Sequence, residues 1–314
     1  MATPFPAPSP EKQKLYEALV DTITAIFHSP HGYRPVHAKG IVCAGVFTPS
    51  RQAATLSRAL HFRAPTPVCV RLSDSSGIPT IPDTDPMANP RGFGLKFQLP
   101  GGAITDLVAH SVNGFPVGTA EEFLEFLQAI VASTPDASHP NAIEKFVSVR
   151  PAAIAFVSAT PLPPVSFANE TFFSVNAVRF VNKEGVAKFG RYQVRPVLGQ
   201  KLVAKQDVPK LAPDFLFADL RERLAKGPVE FELVVQLAHE GDQTNDASTP
   251  WPDDREIVEV GTLRLDNPLA DSDAAQRRLI FDPMNLTDGI EASDDPIPPA
   301  RSAVYGISYA RRNS

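Results

Sequence analysis

The chain has 314 residues, 43 % of them hydrophobic and 21 % charged, which is enough apolar material for one large domain or two ordinary ones and excludes disorder as its general state. Its formal net charge is -5, with acids and bases interleaved along the chain, which excludes the basic patch that a nucleic-acid surface needs. Two cysteines, Cys43 and Cys69, both in apolar runs, read as buried thiols and not as a disulfide framework.

The first residues, MATPFPAPSPEKQKLYEALV, lack a basic segment followed by an apolar one, and no apolar run approaches the ~20 residues of a membrane span. A cytoplasmic protein without membrane partners is the expectation. Residues 1–9 read as an irregular arm and 10–314 as one domain. Leu15, Leu19, Ile23 and Ile26 recur at helical spacing and predict a helix over 10–28, with Pro10 in its first turn. A strand is expected over 38–47, then a short helix over 48–60 with Thr48 as its cap. PVCVRLSD (67–74) reads as a strand. RGFGLKFQLP and ITDLVAHSV read as two more, joined at Gly101-Gly102. A helix over 119–133 opens on the capping pair Thr119 and Glu122, and 141–149 is a second helix. FFSVNAVRFVNKEG and VAKFGRYQVRPV are strands flanking a turn at 182–185. A helix over 212–227 stops at Gly227, strands follow at 229–238 and 256–266, and the prolines of DPIPPAR open a last helix. The order predicts an α+β protein with one barrel-like antiparallel sheet and helices around it.

A few polar residues stand out against apolar sequence. His37 lies at the mouth of the strand over 38–47. Arg71 and Ser73 share a face of theirs, since alternate strand residues do. A serine hydroxyl beside a histidine fixes the ring's orientation, as acid–base work demands. Arg34, Arg71 and Arg301 sit near apolar stretches without carboxylates at matching places, so their anions could belong to a ligand with carboxylate arms. Arg301 stands four residues before Tyr305, on one helix face. A guanidinium there stabilises a phenolate, and a tyrosinate is a ligand for ferric haem iron. Each residue taken alone also has a plain structural explanation: a core histidine, a satisfied strand hydroxyl, arginines on a solvated edge, a stem packed on a ring.

Together the segments RPVHAKG (34–40), VRLSD (70–74), NPRGFGLKF (89–97), TDLVAHSVNGF (105–115), FDPMNLTDGIEASDDP (281–296) and RSAVY (301–305) resemble the haem catalase family, in consistent order from about residue 10 to 312. The chain departs from the usual pattern in several places. Tyr33 replaces the glutamate that often precedes the first arginine. Tyr305 lacks the flanking aromatic and aspartate. AHSVNG stands where a paired asparagine is usual. The chain also ends soon after Tyr305. These features resemble the short catalase-related peroxidases, or minimal catalases.

The resemblance implies an eight-stranded antiparallel barrel without the C-terminal helical region. It implies haem b held by a proximal Tyr305 tyrosinate paired with Arg301, with Arg34 and Arg71 on the propionates. His37 would be the distal base oriented by Ser73, with Val36 and Phe115 beside the haem. The distal amide position falls on Ser111 or Asn113. NADPH is not expected. The activity implied is reduction of organic hydroperoxides and H2O2 through an oxoferryl intermediate, with a small organic electron donor, possible H2O2 dismutation and a homodimeric state. An allene-oxide-synthase-like rearrangement of fatty-acid hydroperoxides, or a haem carrier or sensor without turnover, are the alternatives.

Overall fold

In the computed structural model, residues 8–159 and 162–314 are described. The arm expected over 1–9 therefore lies, for residues 1–7, outside the described residues. Helix α1 (Pro10–Phe27) opens on Ser9, whose hydroxyl accepts from the Lys12 N–H, and it buries Tyr16, Leu19, Val20 and Ile23. Strand β1 (Gly40–Pro49) follows, then a four-residue helix α2 (Ala53–Leu56), β2 (Thr66–Ser73), β3 (Gly92–Gln98) and β4 (Ile104–His110). Three helices come next: α3 (Ala120–Ala132), α4 (Ala142–Ser148) and α5 (Pro151–Ser158). The sheet resumes with β5 (Phe172–Phe173), β6 (Val178–Val181) and β7 (Ala187–Pro196). It is completed after α6 (Phe215–Lys226) by β8 (Val229–Leu237) and β9 (Ile257–Pro268). The chain ends with α7 (Ser272–Arg278), β10 (Ile290–Ala292) and α8 (Ile297–Arg312).

β1 to β4 form an antiparallel meander, and β7 to β9 form another. β5 and β6 lie end to end along one edge of β7 and act as a single interrupted strand. β4 pairs with β5, and β9 pairs back onto β1, so the sheet closes into an eight-stranded antiparallel barrel, with β10 added outside β6. Strand alternation fills it: Ile41, Cys43 and Phe47, then Val68, Val70 and Leu72, then Phe93, Leu95 and Phe97 point inward with Phe231, Leu233 and Val235. The other register of β2 to β4 faces outward. There Arg71, Ser73, Gly92, Gly94 and His110 form a surface covered by α1, α3 and α8, which share a second apolar cluster built on Leu19, Ile23, Phe126, Leu127 and Ala300. Among the described residues no helix is long and apolar enough to cross a membrane.

Both glycines at the β3–β4 turn take left-handed φ, at 74° and 80°, which excuses them from the Cβ penalty other residues would meet. Thr119 and Asn141 cap their helices as the pattern of α3 and α4 demands. Both cysteines are free and buried. Other expectations are corrected. β1 runs on to Pro49 because Phe47, Thr48 and Pro49 pair with Leu263, Thr262 and Gly261, so Thr48 is a strand residue and the helix expected over 48–60 shrinks to α2. The strand expected from Phe172 onward breaks at 174–177. Three short elements escape the pattern reading. α5 is apolar nearly all round, α7 buries none of its residues, and β10 has three residues.

Candidate active site

β2 sets out the first part of the site. Arg71 and Ser73 share its outer face, two residues apart, and both are buried. His37 is not in β1, which begins at Gly40, but in the turn before it. It adopts a left-handed backbone (φ 58°), unusual for a residue with a side chain. Three bonds hold that conformation. The His37 N–H donates to the Ser75 carbonyl at 2.8 Å, the Ala38 N–H donates to the Ser76 carbonyl at 2.9 Å, and Arg71 Nη2 donates to the His37 carbonyl at 2.8 Å. The turn brings the imidazole across β2 to β3, with Nδ1 3.2 Å from Ser73 Oγ. It lies over Gly92, where an added Cβ would stand 2.5 Å from Ser73 Oγ and 2.7 Å from His37 Nδ1. Only glycine leaves room for the ring at that point. Gly94 likewise makes room for the Phe281 ring.

Burial lowers the His37 pKa to about 3, reinforced by the Arg71 and His110 charges, so the ring is neutral at ordinary pH. Burial lowers all three arginines, Arg34, Arg71 and Arg312, with Arg71 at about 9 and Arg312 at about 10; the charges of Arg71 and Arg312 add to it at Arg34, and that of Arg312 adds to it at Arg71. With those values Arg71 and Arg312 remain cations at neutral pH. The hydrogen-bond partners of the three are uncharged: Arg34 and Arg312 donate to the Leu279 carbonyl, and Arg71 donates to Gln276 Oε1 and the His37 carbonyl. Among the described residues, no carboxylate forms a salt bridge with any of the three.

The opposite wall is α8. Arg301 Nε and Nη2 both donate to Tyr305 Oη, at 3.1 and 2.9 Å. The break between β5 and β6 brings Asn176 to this pair. Its Oδ1 accepts from Arg301 Nη1 at 2.8 Å, while its Nδ2 donates to Asp295 Oδ2 at 2.8 Å. Ser302 donates to Asp282 Oδ2, tying the helix to the FDP segment beside β3.

These groups share one cavity of about 450 Å³ between the barrel's outer face and the helices. Arg34, Val36, His37, Arg71, Ser73, Phe115, Arg301 and Tyr305 all line it. Ser111 and Asn113 do not. The Ser111 hydroxyl accepts from the Arg91 N–H at 2.9 Å, because Ser111 follows the end of β4 and turns back onto the loop before β3. The residue of that segment that does line the cavity is His110, which the sequence reading passed over. Strand alternation was the signal, since Leu107 and Ala109 point into the barrel. Arg312 was also missed. It lies seven residues beyond Tyr305, two helical turns along the same face.

The residues fit a flat, largely apolar dianion. The cavity lining is largely apolar, three guanidiniums without carboxylate partners suit its acid arms, and an arginine-bound phenol lines the cavity from the helix. The Catalase family model matches residues 17–313, so the chain belongs to the catalase family, oxidoreductases acting on peroxide with haem as their cofactor. Its relatives narrow the group to the short catalase-related peroxidases. The chain is 34 % identical over 297 residues to the catalase-related peroxidase of Mycolicibacterium paratuberculosis, covering 93 % of each. It is 33 % identical over 301 residues to that of Synechococcus elongatus, covering 94 % of this chain and 88 % of the relative. Against Catalase-2 of Bacillus subtilis it is 29 % identical and spans 44 % of that protein's length. A fungal catalase crystal structure superposes with a TM-score of 0.79 at 23 % identity, over 94 % of this chain and 62 % of that one, which shows the shared fold.

Proposed function

We propose that the chain uses haem b to reduce organic hydroperoxides and H2O2, drawing electrons from a small organic donor, with H2O2 dismutation as a lesser activity. The observation that carries this reading is the meeting, in one cavity, of three guanidiniums lacking carboxylate partners, a buried neutral imidazole and an arginine-bound phenol. Arg34, Arg71 and Arg312 would hold the propionates. Tyr305 Oη would be the ligand to the haem iron, held in place by two bonds donated by Arg301. Val36 and Phe115 would pack beside the ring system.

Haem, when bound, supplies the redox centre for cleavage of the O–O bond. His37 takes the O–H proton of the hydroperoxide and returns it to the oxygen that leaves, help typically worth ~10²–10⁴-fold. Its burial keeps it neutral and ready to accept that proton. Ser73 fixes the ring. The overall balance consumes two electrons from the donor and two protons, and releases an alcohol and water. Phe115, Phe123 and Phe156 line the cavity, with Phe115 tilted against Phe123 and edge-on to Phe156, a wall that favours an organic substrate over H2O2.

Haem reconstitution, visible spectroscopy and steady-state kinetics with an alkyl hydroperoxide or H2O2 test the reading, with His37→Ala as the control. We expect a high-spin ferric spectrum of the tyrosinate type, kcat/KM for the alkyl hydroperoxide at least matching that for H2O2, and a loss of about 10²-fold or more in the variant. A protein that takes up no haem sinks the proposal. Undiminished turnover in His37→Ala removes the distal base from it. A single rearranged product from a fatty-acid hydroperoxide without donor replaces reduction by rearrangement.

A further inference from the structure

The reduction just proposed uses one imidazole, yet the cavity holds two. Ser73 on β2, Gly92 on β3 and His110 on β4 are paired in register across three neighbouring strands and face outward in a row. The glycine between them has no side chain, so the His37 ring from one side and the His110 ring from the other look onto the same space. Both line the cavity. Each is near enough that a charge on His110 would lower the basicity of His37.

The two rings are anchored differently. His110 Nδ1 accepts from the Val112 N–H at 3.4 Å. A ring nitrogen that accepts carries no proton, so the neutral ring bears its proton on Nε2. Among the described residues Nε2 has no partner. Burial, with the Arg301 charge second, lowers the pKa of His110 to about 3, which keeps the ring a neutral donor. His37 Nδ1 stands 3.2 Å from Ser73 Oγ, a hydroxyl that can donate to it or accept from it. When Nδ1 holds the proton and Ser73 accepts it, Nε2 is an acceptor, and one wall of the cavity then carries an acceptor and a donor.

We propose that His110 is a second distal residue, whose Nε2–H hydrogen-bonds the hydroperoxide oxygen that leaves while His37 Nε2 receives the proton. This rests on the haem-peroxidase reading. As the O–O bond breaks, charge grows on the departing oxygen. A donor already in place there stabilises it without reorganisation. His37 then delivers the proton to that oxygen, and His110 keeps its own. The departures noted in AHSVNG therefore do not strip the site of its second polar group. They move that group to the strand's last residue and change an amide into an imidazole.

The haem-free full chain gives the first test. Long-range ¹H–¹⁵N correlation NMR at neutral pH should show His110 as the Nε2–H tautomer; a proton on Nδ1 overturns the donor assignment. The second test is fluoride binding to the ferric, haem-loaded protein, since fluoride can only accept. His110→Leu should raise its Kd about tenfold, one hydrogen bond's worth, and His110→Asn should restore it to within about threefold. Turnover of an alkyl hydroperoxide should fall about 10²-fold in His110→Leu at equal haem content, and recover in His110→Asn. Wild-type fluoride affinity and turnover in His110→Leu would overturn the proposal. If His110→Leu does not fold, His110→Gln and the wild-type NMR measurement decide. Failure to bind haem would overturn the underlying reading instead, and the tautomer measurement separates the two cases.

Discussion

His61 lies in the barrel interior between Phe47, Phe62 and Phe97, and among the described residues neither of its ring nitrogens has a hydrogen-bond partner. Burial lowers its pKa to about 3, as it does for His37 and His110. For each ring the folded value lies below the unfolded value of about 6.5, so protonation favours the unfolded chain. The stability these three contribute is full above about pH 6.5 and is lost as pH falls toward 3, at about 1.4 kcal/mol per pH unit for each histidine. His61→Leu keeps most of the volume and removes one titrating group. Urea denaturation at pH 7 and pH 5 should show a variant at least as stable as wild type at pH 7, with the acid-side slope reduced by one proton. An unchanged slope would show that His61 is not held neutral by the fold. Of the three, His61 is the one that lies away from the cavity.

The interrupted strand β5–β6 and the helix α8 depend on each other. A continuous strand would have presented Asn176 to β7. The break sends it to Arg301 and Asp295, and so fixes the start of α8 and the orientation of Tyr305 four residues on. Asn176→Ala leaves a guanidinium nitrogen and a buried carboxylate each short of one partner, at a cost of about 1–3 kcal/mol. Denaturant midpoints should fall by that amount, and the spectrum of the haem-loaded variant should broaden as the Arg301–Tyr305 contact loosens. A variant with wild-type stability and an unaltered spectrum would mean that α8 holds its own position. The same dependence explains why the chain pattern around 172–181 suggested one strand. Its residues have strand propensity throughout, and the break is imposed from a helix more than a hundred residues away.

At the scale of the whole molecule, the haem-free protein carries an uncompensated charge. Arg34, Arg71 and Arg312 come from the loop before β1, from β2 and from the last turn of α8, and they repel one another. Arg34→Met removes one of these cations. The Leu279 carbonyl it leaves behind is still bonded by Arg312. We expect opposite effects in the two states: a melting temperature a few degrees higher in the haem-free protein, and haem dissociation about tenfold faster in the loaded one. A variant destabilised in the haem-free state with unchanged haem release would show that Arg34 serves packing and not ligand charge. The sign reversal makes this a sharper test than loss of activity alone.

Much of this molecule was legible in the chain itself. Period-two alternation in β1 to β4 and β7 to β9, the helical repeat of α1, the capping pair at Thr119 and the i,i+4 spacing of Arg301 and Tyr305 are local codes, written within a few residues of where they act. Arg34, His37, Arg71 and Ser73 could be singled out because polar groups beside apolar sequence need a partner. Only closure of the barrel decided the rest. It turned Thr48 into a strand residue by pairing it with Thr262, chose His110 over Ser111 and Asn113 by the register of β4 against β3, and carried Arg312 from the chain's end to Arg34 and Arg71. The physical reason is that periodicity and capping are satisfied by near neighbours, whereas register, charge clustering and the opening of a cavity depend on which distant surfaces meet.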